Sequence, residues 1–210
     1  MRATVTLGAC KSGKKLKPHL IFKGVPGGRI HREWTCVDTQ FPDSILYSVQ
    51  KKGWVDHPTF LYWIENVWKP FADQREQSYL IMDQFKVHLM GNVIRKIQDC
   101  GTEVDFCPAG YTSKTQVMDV SVNKPFKDGM RELYEEWMAQ PGDSKKVTRL
   151  LVAQWVDIAW SKITEESIRN GWRACVDSLM DIPPIVDEEE AVVDEEEMDD
   201  DEEEMDVDEI

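Results

Sequence analysis

Between residues 56 and 137 the apolar residues switch repeatedly between two spacings, and this alternation restricts the fold more than any other feature of the chain. Phe60, Trp63, Ile64, Val67, Trp68 and Phe71 recur every three or four residues, which places them on one side of a helix. Asp56 and Pro58 mark its start, because a first-turn proline gives up an amide that would have no helical partner. Ser78-Tyr-Leu-Ile-Met-Asp83 is then a short apolar run suited to a buried strand and ended by a carboxylate. Helical spacing returns with Val87, Met90, Ile94 and Ile97 and stops at Gly101. Residues 102 to 107 form another short strand pattern, closed by Pro108-Ala-Gly110. From Thr115 the spacing is helical again, with Phe126, Met130, Leu133, Tyr134 and Trp137 on one face and Pro125 expected to kink or restart the helix. Strands alternating with helices predict an α/β fold.

An opening hairpin adds to the strands. Residues 3 to 9 alternate, residues 11 to 15 form a polar turn containing Gly13, and residues 16 to 22 return as a second strand. Residues 44 to 49 carry a further strand pattern. Two late helical stretches, 145 to 163 and 165 to 179, bear Leu151, Trp155, Ile158, Trp160, Ile168, Trp172 and Val176, so their tryptophans are expected in the core, not stacked on nucleic-acid bases. Pro183 and Pro184 end the globular part, giving one domain over residues 1–180 and a tail over residues 181–210.

Charge is divided unevenly. Residues 187 to 210 hold 17 of the 39 acidic residues and none of the 25 basic ones. Residues 1 to 186 therefore carry 22 acidic and 25 basic residues, a net of +3, and the overall −14 describes the tail. So polar a tail cannot bury enough apolar surface to offset its ordering entropy, which predicts disorder. A mildly basic body does not exclude a nucleic-acid partner. The five cysteines include no C-x-x-C pair and read as reduced thiols of the cytosol or nucleus. No run approaches the roughly 18 apolar residues of a membrane helix, and no signal-peptide pattern opens the chain.

Two acids stand out by position: Asp83 at the end of a buried strand, and Asp119 after a strand and loop, at a helix start. Open α/β sheets build their sites at strand ends, and carboxylates held there bind hard divalent ions. Two such ions about 3.5–4 Å apart activate water and stabilise a leaving oxygen in phosphodiester cleavage, and a site of that kind generally needs a third carboxylate. An Asp in either place is equally at home as a turn former or helix cap.

Three long segments carry a resemblance: Lys14-Lys-Leu-Lys-Pro-His-Leu-Ile-Phe-Lys-Gly24, Leu80-Ile-Met-Asp-Gln-Phe-Lys-Val-His88, and Pro108-Ala-Gly-Tyr-Thr-Ser-Lys-Thr-Gln-Val-Met-Asp-Val-Ser-Val-Asn-Lys-Pro-Phe-Lys127. In that order they resemble the pogo/Tigger branch of the mariner-type DDE transposases, and Trp160-Ser-Lys-Ile-Thr-Glu-Glu-Ser-Ile-Arg-Asn-Gly-Trp172 resembles that family's closing helices. The resemblance implies an RNase H-like fold in which three acids hold two Mg²⁺ or Mn²⁺ ions, with the second and third acids at Asp83 and Asp119. It also places His88 and Gln116 in the site's two motifs as supporting residues. The family's first acid lies on a strand upstream of the hairpin. Asp38, Asp43 and Asp56 follow both hairpin strands and cannot take its place.

The expected protein is thus a transposase-derived DDE endonuclease domain lacking its first strand and first acid, and inactive by itself. The alternative is a domesticated, non-enzymatic DNA- or chromatin-binding protein of the nucleus. Lys11, Lys14, Lys15, Lys17 and Lys23 form a basic stretch suited to phosphates, though lysines on a hairpin are also ordinary solvation. The acidic tail is suited to competing with DNA for that stretch or to binding histones and other basic proteins.

Overall fold

The computed structural model describes residues 2–36, 38–107, 116–141 and 145–180, with side chains to residue 176. The expected acidic tail and most of the Pro108–Gln116 stretch lie outside the described residues.

Five strands form two sheets. In the first, β1 (Ala3–Thr6) runs antiparallel to β2 (His19–Lys23), and β2 runs parallel to β3 (Leu46–Gln50), with His19 opposite Leu46. In the second, β4 (Ser78–Met82) runs parallel to β5 (Thr102–Phe106), with Met82 opposite Phe106. Among the described residues no strand pairing joins the two sheets. The opening hairpin is present, with shorter strands than the alternation predicts and one bridge between Ala9 and Lys15. Gly13 closes its turn at φ 94°, a left-handed conformation that only glycine adopts freely.

Within the first sheet β2 alone has a neighbour on each side, and Leu20, Ile21 and Phe22 are fully buried, as an unbroken apolar run between two layers requires. Leu20 and Phe22, with Val49 of β3, pack on Val122, Phe126, Val156, Trp160 and Ile168 of the C-terminal helices. A second cluster centres on Phe60, Trp63, Ile64, Val67 and Trp68. It takes Leu16 and Leu46 from the first sheet's side, Met82 from β4, and Val93 and Ile97, so one helical segment bridges both sheets.

A short α1 (Arg29–Arg32) lies between β2 and β3. Helix α2 (His57–Trp63) starts at the predicted signal. The Asp56 carboxylate accepts from the Thr59 amide at 3.0 Å while Thr59 Oγ1 accepts from the Asp56 amide at 2.9 Å, a reciprocal cap. The predicted single helix is broken by a π-helical turn over Ile64–Trp68 before α3 (Lys69–Ala72). Helix α4 (Gly91–Gln98) starts later than the Val87 spacing predicts, because His88 turns back onto Asp83 and residues 85 to 90 are held in turns. A second π-helical turn, Met118–Val122, leads into α5 (Asn123–Ala139), so the chain restarts next to Pro125 as expected. Helix α6 (Arg149–Lys162) is capped by Thr148 Oγ1, which accepts from the Leu151 amide at 3.1 Å; residues 145 to 148 stay outside it. Helix α7 (Glu165–Met180) follows directly.

The hairpin tip is fastened to the α6–α7 corner. Lys15 Nζ donates to the carbonyls of Trp160, Ser161 and Ile163 at 2.6, 3.2 and 2.8 Å, satisfying the orphan end of α6. Trp160 Nε1 donates to the Leu16 carbonyl at 3.1 Å, and Arg169 donates to that of Ser12 at 2.9 Å.

His19 is almost fully buried, with Nε2 2.7 Å from Ser48 Oγ, and burial pushes its pKa down to about 4. In the unfolded chain the same ring titrates at about 6.5. Between these values the unfolded state takes up a proton that the folded state refuses. The stability is therefore whole above about pH 6.5 and falls by about 3 kcal/mol as pH drops to 4. The urea midpoint should decline over that window, and His19→Gln should flatten the decline. An equal decline in the variant would show that His19 is not its source.

Candidate active site

β4 delivers Asp83. Its backbone lies immediately after Met82, the last buried residue of the strand, so the carboxylate emerges where the chain leaves the sheet. Asp83 Oδ1 lies 2.7 Å from His88 Nδ1 and accepts from the Phe85 amide at 3.3 Å. The His88 ring is fixed in turn between Phe60, at a centroid distance of 4.5 Å, and Phe85, at 5.5 Å. The His88 hydrogen bond holds the Asp83 carboxyl below the usual range, outweighing the opposing effect of partial burial. Asp83 is therefore an ionised, oriented carboxylate at neutral pH.

Asp119 sits in the Met118–Val122 π-helical turn and is exposed, with Oδ1 accepting from Asn123 Nδ2 at 2.7 Å. The turn is held by α7, because Gly171 brings the helix backbone against Ser121. A Cβ at Gly171 would overlap the Ser121 side chain. Turns of this type widen a helix by one residue and recur at functional sites, and here both of them border the same cavity.

That cavity, about 710 Å³, lies between the β1 side of the first sheet and the β4 side of the second. Asp83, Asp119, His88 and Gln116 all line it, so the structure brings together the four residues singled out by sequence. It adds Asp105 of β5, which stands in register with Ile81. The alternation of Glu103 and Asp105 gave only an exposed strand face, and the placement of that face came from pairing with β4.

The lysines are not brought together as one patch. Lys11 lines the cavity, and Lys14 Nζ sits 5.6 Å from the centre of the Phe71 ring. Lys15 is held by α6 carbonyls, and desolvation lowers its pKa. Lys17 is exposed, while Lys23 is at the far end of β2, about 13 Å beyond that strand's start.

The family described as DDE superfamily endonuclease matches residues 1–172. The chain belongs to the DDE superfamily endonucleases. It is 31% identical over 186 residues to a Mus musculus protein named pogo transposable element with KRAB domain, covering 83% of this chain and 29% of that protein. The Homo sapiens protein of the same name is 30% identical over the same coverage. A Homo sapiens pogo transposable element with ZNF domain is 30% identical over 119 residues, 55% of this chain and 8% of that protein. The chain thus spans less than a third of the curated relatives it matches. No solved structure matches it.

Members of the DDE superfamily generally use divalent metals, and the carboxylates of this DDE domain were tested for that role. Among the described residues no group of three or more His, Cys, Asp or Glu side chains is placed to hold an ion. Asp83 and Asp119 each also have one oxygen engaged by a neighbour. The donor set present does not fit a resident metal ion.

The contact between Gly171 and Ser121 makes a measurable claim about how Asp119 is positioned. Gly171→Ala should cost about 1–3 kcal/mol in urea unfolding, the usual range for an overpacked contact. Adding Ser121→Gly should recover much of that loss. A neutral Gly171→Ala, or no recovery in the double variant, would contradict the close approach.

Proposed function

We propose that this chain is the greater part of a DNA-acting DDE endonuclease domain of RNase H-like design, spanning residues 1–180 and carrying two of that design's three catalytic acids, Asp83 and Asp119. One observation carries the reading: a carboxylate from the end of β4 and one from a helix start, far apart in sequence, border a single cavity. Family membership supports DNA as the substrate class. In the intact family design, bound Mg²⁺ or Mn²⁺ supplies the Lewis acid that activates water and stabilises the leaving oxygen. In this chain His88 keeps Asp83 ionised and aimed, Asn123 orients the Asp119 carboxylate, and Gln116 stands at the same cavity as a polar support. The third acid must come from outside the described residues.

The incomplete donor set favours a second reading for the chain as it stands: a nuclear DNA- or chromatin-binding protein without catalysis, using Lys11, Lys14, Lys17 and Lys23 on phosphates. Histones and other basic proteins are the partners its acidic segment suits.

Supercoiled plasmid incubated with the 210-residue protein and Mg²⁺ or Mn²⁺ should not be nicked. Metal-dependent nicking that disappears in Asp119→Ala would overturn the missing-acid reading. The segment 187–210 is proposed to weaken DNA binding, since 17 negative charges on a tether compete for the basic hairpin. Its removal should tighten non-specific DNA binding, more at low salt than at high salt. Equal affinities at both ionic strengths would rule the competition out.

A further inference from the structure

We propose that the cavity between the two sheets is a receiving slot for one extended, apolar polypeptide strand supplied by a separate protein, which pairs with β1 on one side and β4 on the other. The inference rests on backbone pairing and does not depend on the nuclease reading.

The argument starts with where the unpaired backbone groups point. In an antiparallel pair, opposed residues alternate between hydrogen-bonded and non-bonded positions. The Lys23 amide donates to the Arg2 carbonyl, and the register continues with Thr4 opposite Ile21 and Thr6 opposite His19. Ala3 and Val5 therefore turn their N–H and C=O groups away from β2. In a parallel pair, each residue turns both groups to the same side, and the side alternates along the strand. The Cys107 amide donates to the Met82 carbonyl, so Met82 and Leu80 face β5, whereas Tyr79 and Ile81 face away from it. Residues 4–10 and 77–83 both line the cavity, so the two free edges border one space.

The size of that space fits one strand. Five residues at about 3.3 Å each, with about 4.8 Å to a neighbouring strand and about 10 Å between covering layers, occupy about 800 Å³. The cavity measures about 710 Å³. Its remaining lining is apolar and aromatic, including Phe60, Trp63, Trp68 and Phe71. Trp63 is only 4% exposed, and it and Trp172, which also lines the cavity, are the residues whose buried indole N–H lacks an acceptor among the described residues. Edges that present alternating donors and acceptors on both sides match a peptide backbone, a mode of recognition in which main-chain bonds supply the affinity. A strand covered on both faces is apolar throughout. Asp83, Asp105 and Asp119 border the same space, which disfavours phosphate and favours basic residues flanking the apolar run.

The probe is acetyl-Lys-Val-Val-Ile-Val-Lys-amide, added to the full chain without metal or DNA. Amide exchange at Ala3, Val5, Tyr79 and Ile81 should slow by about tenfold or more at saturation. Tyr79→Pro removes an amide that faces the slot and leaves the β5 ladder intact, so the folded variant should bind the peptide about tenfold more weakly. Protection on both edges, absent when the central peptide residue is proline, supports the proposal. No binding, protection of only one edge or of β3 and β5, or displacement by oligo(dT) would each overturn it. A nuclease test that fails leaves these readouts unaffected, and the converse also holds.

Discussion

A β-strand is stable only when its backbone groups are paired on both sides or exposed to water, and in this domain that requirement is met fully for β2. The strand is paired on both sides and apolar on both faces, so the hairpin strand β1 and the crossover strand β3 take their positions from it. The second sheet lacks such a backbone link. Its position comes from side chains: Trp63, Val67 and Trp68 pack against Leu16 and Leu46 on one side and Met82 on the other. Non-directional apolar contact holds the sheets at a separation that leaves two free edges bordering one cavity.

The position of Asp119 follows from the same hairpin by a longer route. Lys15 caps the end of α6, Arg169 of α7 holds the Ser12 carbonyl, and Gly13 of the turn approaches Glu165. These contacts fix the corner where α6 gives way to α7. Four helical turns at most separate that corner from Gly171, whose bare backbone admits Ser121 and with it the π-helical turn carrying Asp119. A lysine read from sequence as a phosphate contact thus serves in the frame that positions an acid.

Local features were legible in the sequence where local chemistry decides them. Ser78–Met82 and Thr102–Phe106 follow from short apolar runs, and the Asp56 cap from its spacing to Thr59. The late start of α4 was not legible, because the competing interaction is the His88–Asp83 bond and not the 3.6-residue period. The π-helical turns were hidden for a related reason: Ile64, Val67 and Trp68 also satisfy ordinary helical spacing over so short a window. Asp83 and Asp119 were found by position and resemblance. Asp105 was missed because its place depends on the parallel pairing of β4 with β5, a contact that no local pattern encodes.

The carboxylates and the free edges are physically linked. Water in the cavity now solvates Asp105 and Asp119 and half of the Asp83 surface, screening three negative charges from one another. A strand that displaces this water removes that screening, which raises the cost of keeping every acid ionised and increases the attraction for a cation nearby. The hydrogen bond from His88 opposes protonation of Asp83 under those conditions, because it stabilises the charged form directly. Completing the sheet and acquiring cation affinity are then coupled steps. The first lowers the local dielectric, and the second relieves the repulsion that the lower dielectric creates.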